Sequence, residues 1–134
     1  MTFRYAVTAY DGPLDSAQAT QFAWNVSHPL VAEVSSGGAG KLPDGAVSFV
    51  EVDSDHVALL DFKKADDGRG VIVRLFESGG RADDVQVAFH DDLEFSRAFL
   101  TNPIEENEGI LPLSDSTVSL NLQPWEIKTI RLMP

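Results

Sequence analysis

Apolar and polar residues alternate along most of the chain, and this period of two predicts β-strands. In the first stretch, residues 3–10, the side chains of Phe3, Tyr5, Val7 and Ala9 fall on one face of an extended backbone. Runs of normal strand length, rich in valine, isoleucine, leucine and phenylalanine, recur after it. The predicted strands are 3–10, 47–52, 56–64, 70–78, 84–90, 94–101, 117–122 and 127–133.

Turn-forming residues separate these strands. Prolines stand between the apolar runs, and Asp-Gly or Gly-Gly pairs occur at 11–12, 37–38, 44–45, 67–68 and 79–80. Many short strands joined by such turns predict an all-β fold, an antiparallel β-sandwich. A chain of 134 residues has the length of one domain, so we expect a single domain over residues 1–134.

Two segments do not follow the strand pattern. Residues 13–26 allow either a helix capped by Ser16 or a loop that runs into a strand at 20–26, and the sequence does not decide between them. Residues 35–45 are rich in glycine and serine and predict a surface loop within the one domain.

Charge and composition exclude several classes of protein. The chain has 10 basic and 21 acidic residues, which gives a net charge of −11, and its basic residues are scattered. Binding to nucleic acid or to an anionic membrane is therefore not expected. It has no cysteine, which excludes disulfides, thiolate metal sites and cysteine nucleophiles. The first ten residues lack a continuous apolar signal region, and we expect a cytoplasmic protein.

The usual catalytic motifs are absent from the sequence. His28, His56 and His90 share no metal-ligand spacing, and no serine stands in a nucleophile-elbow motif. The paired carboxylates, among them Asp66 with Asp67 and Glu105 with Glu106, stand at turns, where acidic residues are usually solvated. We therefore predict no catalytic residue, no metal site and no cofactor in this chain.

Two features remain as candidates for binding. The first is the hairpin tip "ADDGRG", residues 65–70, where Asp67 and Arg69 offer polar groups that bind sugar hydroxyls. The alternative is a plain charged hairpin. In that case Arg69 and Lys63 or Lys64 pair with Asp66 and Asp67. Trp24 and Trp125 are candidates for stacking on sugar rings, against the alternative that both pack in the core or at its rim.

Longer stretches carry a resemblance to a known family. "SFVEVDSDHVALLDFKKADDGRGVIVRLFE", residues 48–77, and "LQPWEIKTIRL", residues 122–132, resemble the C-terminal β-domain of family 38 glycoside hydrolases, the α-mannosidases. The opening stretch from Phe3 is similar to the start of that region, so the resemblance extends from about Phe3 to Leu132.

The resemblance implies a non-catalytic accessory domain. In that family the zinc ion and the carboxylate nucleophile belong to an N-terminal catalytic domain, which would be the partner of this chain. A loop similar to the one at Asp67 and Arg69 leans toward the catalytic pocket in some members, so this domain would complete the fold and one wall of the substrate cleft. Two alternatives stay open: an independent carbohydrate-binding sandwich, and a purely structural interaction module with an apolar docking patch.

Overall fold

The structure, a computed structural model, describes residues 3–34 and 45–134. It contains one helix, α1 (Ser16–Ser27), and nine strands. The strands are β1 (Val50–Val52), β2 (Val57–Lys64), β3 (Val71–Glu77), β4 (Asp83–Phe89), β5 (Arg97–Thr101), β6 (Asn107–Leu111), β7 (Leu113–Ser114), β8 (Thr117–Leu122) and β9 (Ile127–Met133).

The strands form two antiparallel sheets, which confirms the predicted all-β sandwich. One sheet has the order β1-β4-β8-β7 and the other the order β2-β3-β9-β5-β6. In the four-stranded sheet, buried residues alternate with less buried ones along β4 and β8, as the period of two predicts. Along β9 of the other sheet, Thr129 to Leu132 are all buried. The buried core consists of Val57, Val73, Leu75, Val85, Val87, Phe89, Ala98, Val118, Leu120, Leu122, Ile130 and Leu132.

Strand β9 holds the central position of the five-stranded sheet and determines where the candidate site lies. It pairs with β3 on one side, with Ile127 opposite Phe76 and Leu132 opposite Val71. It pairs with β5 on the other side. The β2–β3 hairpin therefore ends in a tip beside the C-terminal half of β9.

The prediction of a strand at residues 3–10 is wrong for the described residues. This segment forms no strand and pairs with neither sheet, and Val7 is 92% exposed. The alternation specifies only which side chains would share one face of an extended backbone. It does not provide a strand edge for that backbone to pair with, and a strand needs such a partner for its N–H and C=O groups.

Residues 16–27 form a helix, so the helical alternative for 13–26 is correct and the strand alternative is wrong. Asp15, and not Ser16, caps it: the Asp15 carboxylate accepts hydrogen bonds from the N–H groups of Ala17 (2.8 Å) and Gln18 (3.2 Å). Asp15 has the extended backbone of a cap residue, whereas Ser16 is already the first helical residue. The loop predicted at 35–45 lies, up to residue 44, outside the described residues.

Strands β6 and β7 were not predicted. β6 is an edge strand with mostly exposed side chains, so its sequence lacks the alternation on which the prediction depended. β7 has two residues and joins β8 through Asp115 (φ 49°) and Ser116 (φ 56°), a tight turn with two left-handed residues. No helix among the described residues is long and apolar enough to cross a membrane.

Candidate functional site

The hairpin tip joins β2 to β3 and lies where the sequence predicts it. The N–H of Ala65 donates to the carbonyl of Gly70 (3.0 Å), and the N–H of Gly68 donates to the carbonyl of Ala65 (2.9 Å). Gly70 has a φ of +80°, and a Cβ there would lie 2.1 Å from the carbonyl oxygen of Leu132 on β9. Glycine at this position therefore allows the tip to lie directly against β9.

Asp67 and Arg69, the two predicted contact residues, are brought together at this tip. The Asp67 carboxylate accepts hydrogen bonds from the backbone N–H of Arg69 (2.9 Å) and from its Nε (3.0 Å). The Arg69 N–H and the guanidinium of Arg131 lower the pKa of Asp67 to about 2, against a smaller effect of desolvation. The carboxylate is thus ionised and occupied by internal partners, which makes Asp67 a support for the tip.

Arg131 on β9 is the residue that sequence reasoning missed. It is 3% exposed, and its Nη1 donates to both oxygens of Asp67 (2.9 and 2.8 Å) and to the carbonyl of Arg69 (2.9 Å). Its Nη2 donates to the carbonyl of Glu105 (2.6 Å). One buried guanidinium therefore ties the hairpin tip and the loop after β5 to the central strand.

Glu105 supports the tip from the other side. Its carboxylate contacts Nζ of Lys63 (2.6 Å) and accepts a hydrogen bond from the N–H of Asp66 (2.8 Å). Lys63 and the Asp66 N–H lower the pKa of Glu105, and Asp66 and then Glu105 raise the pKa of Lys63. Glu105 also has a left-handed backbone (φ 68°), which is uncommon outside glycine. The sequence suggested only a solvated acidic pair at 105–106.

The ion pairs expected of a plain charged hairpin are present. Lys63 lies 2.6 Å from Asp66, and Nη2 of Arg69 lies 2.9 Å from Asp67. The Arg69 side chain is nevertheless 74% exposed, so part of its guanidinium faces outward. The tip borders an open hollow of about 430 Å³, lined by Asp66, Asp67, Arg69, Ile104, Glu105, Glu106, Asn107 and Arg131.

Trp125 lies within the turn 123–126, at the opposite end of the β3–β9 pair from this tip. Its backbone is left-handed (φ 63°), and its side chain is 56% exposed. The fully buried carboxylate of Glu77 accepts hydrogen bonds from the N–H groups of Trp125 (2.9 Å), Gly79 (2.7 Å) and Gly80 (2.9 Å). Burial raises the pKa of Glu77, but the N–H groups outweigh it, so the pKa lies below its ordinary value.

Trp24 lies apart from these groups, on α1. Its ring stacks on that of His28, with centroids 4.8 Å apart, and it borders a hollow beside β1 and β2. Among the described residues, no group of three or more histidine, aspartate or glutamate side chains is arranged to hold a metal ion.

The two antiparallel sheets, with the core between them, define a β-sandwich domain. Residues 56–130 match the family described as the glycosyl hydrolases family 38 C-terminal beta sandwich domain. Since this match covers more than half of the 134 residues, the chain belongs to that family. The resemblance predicted from residues 48–77 and 122–132 is confirmed.

Similar curated proteins are α-mannosidases. The chain is 29% identical to "Alpha-mannosidase 2C1" of Mus musculus over 136 residues, which cover 98% of this chain and 13% of the mouse protein. It is 22% identical to "Alpha-mannosidase G" of Dictyostelium discoideum over 140 residues, which cover 98% of this chain and 12% of that protein. The chain thus spans a small part of the length of these relatives, and no solved structure matches it.

The support of the tip by Arg131 generates a first prediction. Arg131→Lys keeps the positive charge but lacks the planar fork that contacts Asp67 and the carbonyls of Arg69 and Glu105 together. We expect the free energy of unfolding to fall by about 1–3 kcal/mol, because buried carbonyl groups lose their donor. Urea unfolding measures this, with Arg97→Lys, an exposed arginine on β5, as the control. Equal losses in the two variants would contradict a special role for Arg131.

The Glu77 carboxylate generates a prediction about pH. Because its pKa is lowered in the folded state, the stability that it contributes is present above its unfolded pKa of about 4.3 and is lost as the pH falls through the folded value. Glu77→Gln should therefore be destabilised at neutral pH, by about 1–3 kcal/mol, since an amide cannot accept all three N–H groups. The difference in the free energy of unfolding between this variant and the wild type should narrow at about pH 3. Urea midpoints at both pH values measure this difference, and a constant difference would refute this account.

Proposed function

We propose that this chain is the non-catalytic accessory sandwich of an α-mannosidase-like glycoside hydrolase. In this proposal the hairpin tip forms part of one wall of the substrate cleft, beside a catalytic domain. The observation that carries it is the outward-facing guanidinium of Arg69 on a tip that Asp67 and Arg131 hold rigidly. Membership of the family and the similarity to two α-mannosidases support the accessory role.

The chemistry of the tip supports Arg69, rather than Asp67, as the group that meets the substrate. Asp67 is saturated by the N–H of Arg69 and the guanidinium of Arg131. Arg69 uses Nε and Nη2 on Asp67, and its side chain remains largely exposed. The remaining N–H groups of a guanidinium suit a sugar hydroxyl or a carboxylate of the catalytic domain. Asp67 then acts by orienting the donor, which loses little freedom on binding.

The chemical step belongs, in this proposal, to the catalytic domain. Zinc, which the family resemblance assigns to the catalytic domain, would be bound there. The sandwich supplies a rigid platform and one oriented donor, which is how strands commonly present a binding loop.

An independent carbohydrate-binding module is the second candidate. The exposure of the Trp125 ring is the observation that favours it, because sugar-binding sites commonly stack an aromatic ring on the sugar. Trp24 fits less well, since its ring is covered on one side by His28. The exposed donor of Arg69 lies at the other end of the β3–β9 pair from Trp125, so the two groups do not form one sugar site. We therefore favour the accessory role.

The contact with substrate is tested by Arg69→Ala in the intact enzyme. Loss of a hydrogen bond from a charged donor should lower kcat/KM by about tenfold or more. Arg81→Ala is the matched control, since it removes the same charge from an exposed residue beyond the other end of β3. If both variants keep wild-type kinetics, Arg69 is a residue of a plain charged hairpin.

The accessory role is tested separately by the mass of the native polypeptide. An immunoblot of the source cells with an antibody against this chain should show a band on the order of 100 kDa, as expected for a polypeptide of several domains. A band at 14.6 kDa would mean that the chain works alone and would contradict the accessory role.

A further inference from the structure

The backbone of Trp125 is held in a conformation that an aromatic residue seldom adopts. Its φ of 63° lies in the left-handed region, which costs about 1–2 kcal/mol for a residue with a Cβ. The buried Glu77 carboxylate holds the Trp125 N–H, and the indole lies over Gly80, where a Cβ would come within 2.6 Å of the ring. The fold thus keeps a large apolar ring in a fixed position with 56% of it exposed.

Further apolar groups lie at the same end of the sheet. Ile127, two residues beyond Trp125, is 53% exposed and pairs across the sheet with Phe76. Side chains alternate between the two faces of a strand, so residues an odd number apart point to opposite faces. Leu75, next to Phe76, and Ile130, three residues after Ile127, point into the core. Phe76 and Ile127 therefore point away from it. We call these three residues, Phe76, Trp125 and Ile127, the Trp125 corner.

The polar residues next to the Trp125 corner along the chain are occupied on the other face of the sheet, since Lys128 pairs with the inward-facing Leu75. The Glu126 carboxylate accepts a hydrogen bond from the N–H of Gln123 (2.7 Å) and lies 3.3 Å from Nζ of Lys128. Lys128 donates in turn to the carbonyl of Asn121. A sugar bound to an aromatic ring also needs polar partners for its hydroxyls, whereas an apolar protein surface does not. The outward face of the corner thus presents the apolar groups of Phe76 and Ile127, which suit a protein surface better than a sugar.

We propose that the Trp125 corner docks against an apolar surface on the catalytic portion of the same longer polypeptide, an inference that rests on the proposed function. The α-mannosidases that match 98% of this chain devote only 13% and 12% of their length to it, so each relative has a large protein surface outside this region. Trp125 would be the central anchor, since a rigid half-exposed indole is typical of residues that dominate an interface.

The position of the corner relative to the hairpin tip supports this occupant. Trp125 and the tip lie at opposite ends of the β3–β9 pair, where Phe76 and Ile72 are four residues apart. At about 3.3 Å for each residue, the two ends are separated by roughly 13 Å. An interface of ordinary size buries about 800 Å² on each partner, which is wide enough to include both ends. A catalytic portion that meets the tip would therefore reach the corner as well.

The test compares variants of the intact enzyme by limited proteolysis and thermal unfolding. Trp125→Asn removes the ring, and asparagine tolerates a left-handed backbone, so the turn is retained. We expect this domain to be separated from the rest of the enzyme about fivefold faster or more, with a lower Tm. Trp125→Phe should stay close to the wild type. Ile127→Asn, which leaves the turn untouched, should change the rate in the same direction as Trp125→Asn.

Val26→Gln is the matched control, because Val26 is similarly exposed (52%) but lies on α1 and glutamine suits a helix. If Trp125→Asn and Ile127→Asn are cleaved no faster than this control and the wild type, the docking proposal is overturned. It is also overturned if Trp125→Asn weakens binding to mannan while proteolysis is unchanged, since the corner would then bind sugar. A native mass of 14.6 kDa overturns the proposed function itself, whereas a large mass with unchanged proteolysis overturns only the docking.

Discussion

A guanidinium buried in the central strand of a sheet is the interaction on which the hairpin tip depends. Arg131 lies between Ile130 and Leu132, both core residues, and it donates to Asp67, to Arg69 and to Glu105. A charge with so little exposure must be paired, because an unpaired buried charge is strongly destabilising. The tip and the loop after β5 provide that pairing, and the requirement gives both of them a defined position over the sheet.

A buried carboxylate has the equivalent role at the other end of the same strand pair. Glu77 terminates β3 and holds three backbone N–H groups, among them that of Trp125. A cation thus organises the connection at one end, and an anion organises the connection at the other. Both are buried charged groups that bind main-chain atoms, so they fix the backbone geometry of the two connections. The exposed groups that they orient, Arg69 and Trp125, are the ones available to a partner.

Local features of the candidate site could be predicted from the sequence, and distant ones could not. The tip at 65–70 and its ion pairs, Lys63 with Asp66 and Arg69 with Asp67, depend on neighbours in one hairpin. Arg131 is 64 residues from Asp67, and Glu105 is 39 residues from Asp66. Nothing in the local pattern distinguishes Arg131 from an arginine on the solvent face of a strand, because its burial results from segments that fold over it.

The sequence alone determined the class of the fold, the bounds of most strands to within a few residues, the position of the tip and the family resemblance. These properties follow from the alternation of side chains, from turn residues and from residue order, which are all local or can be read along the chain. Tertiary structure decided that residues 3–10 pair with neither sheet, that the edge strand β6 forms beside β5, and that Trp125 remains exposed. The physical reason is that alternation specifies the face on which a side chain lies, whereas pairing and burial depend on which distant segments are present to cover it.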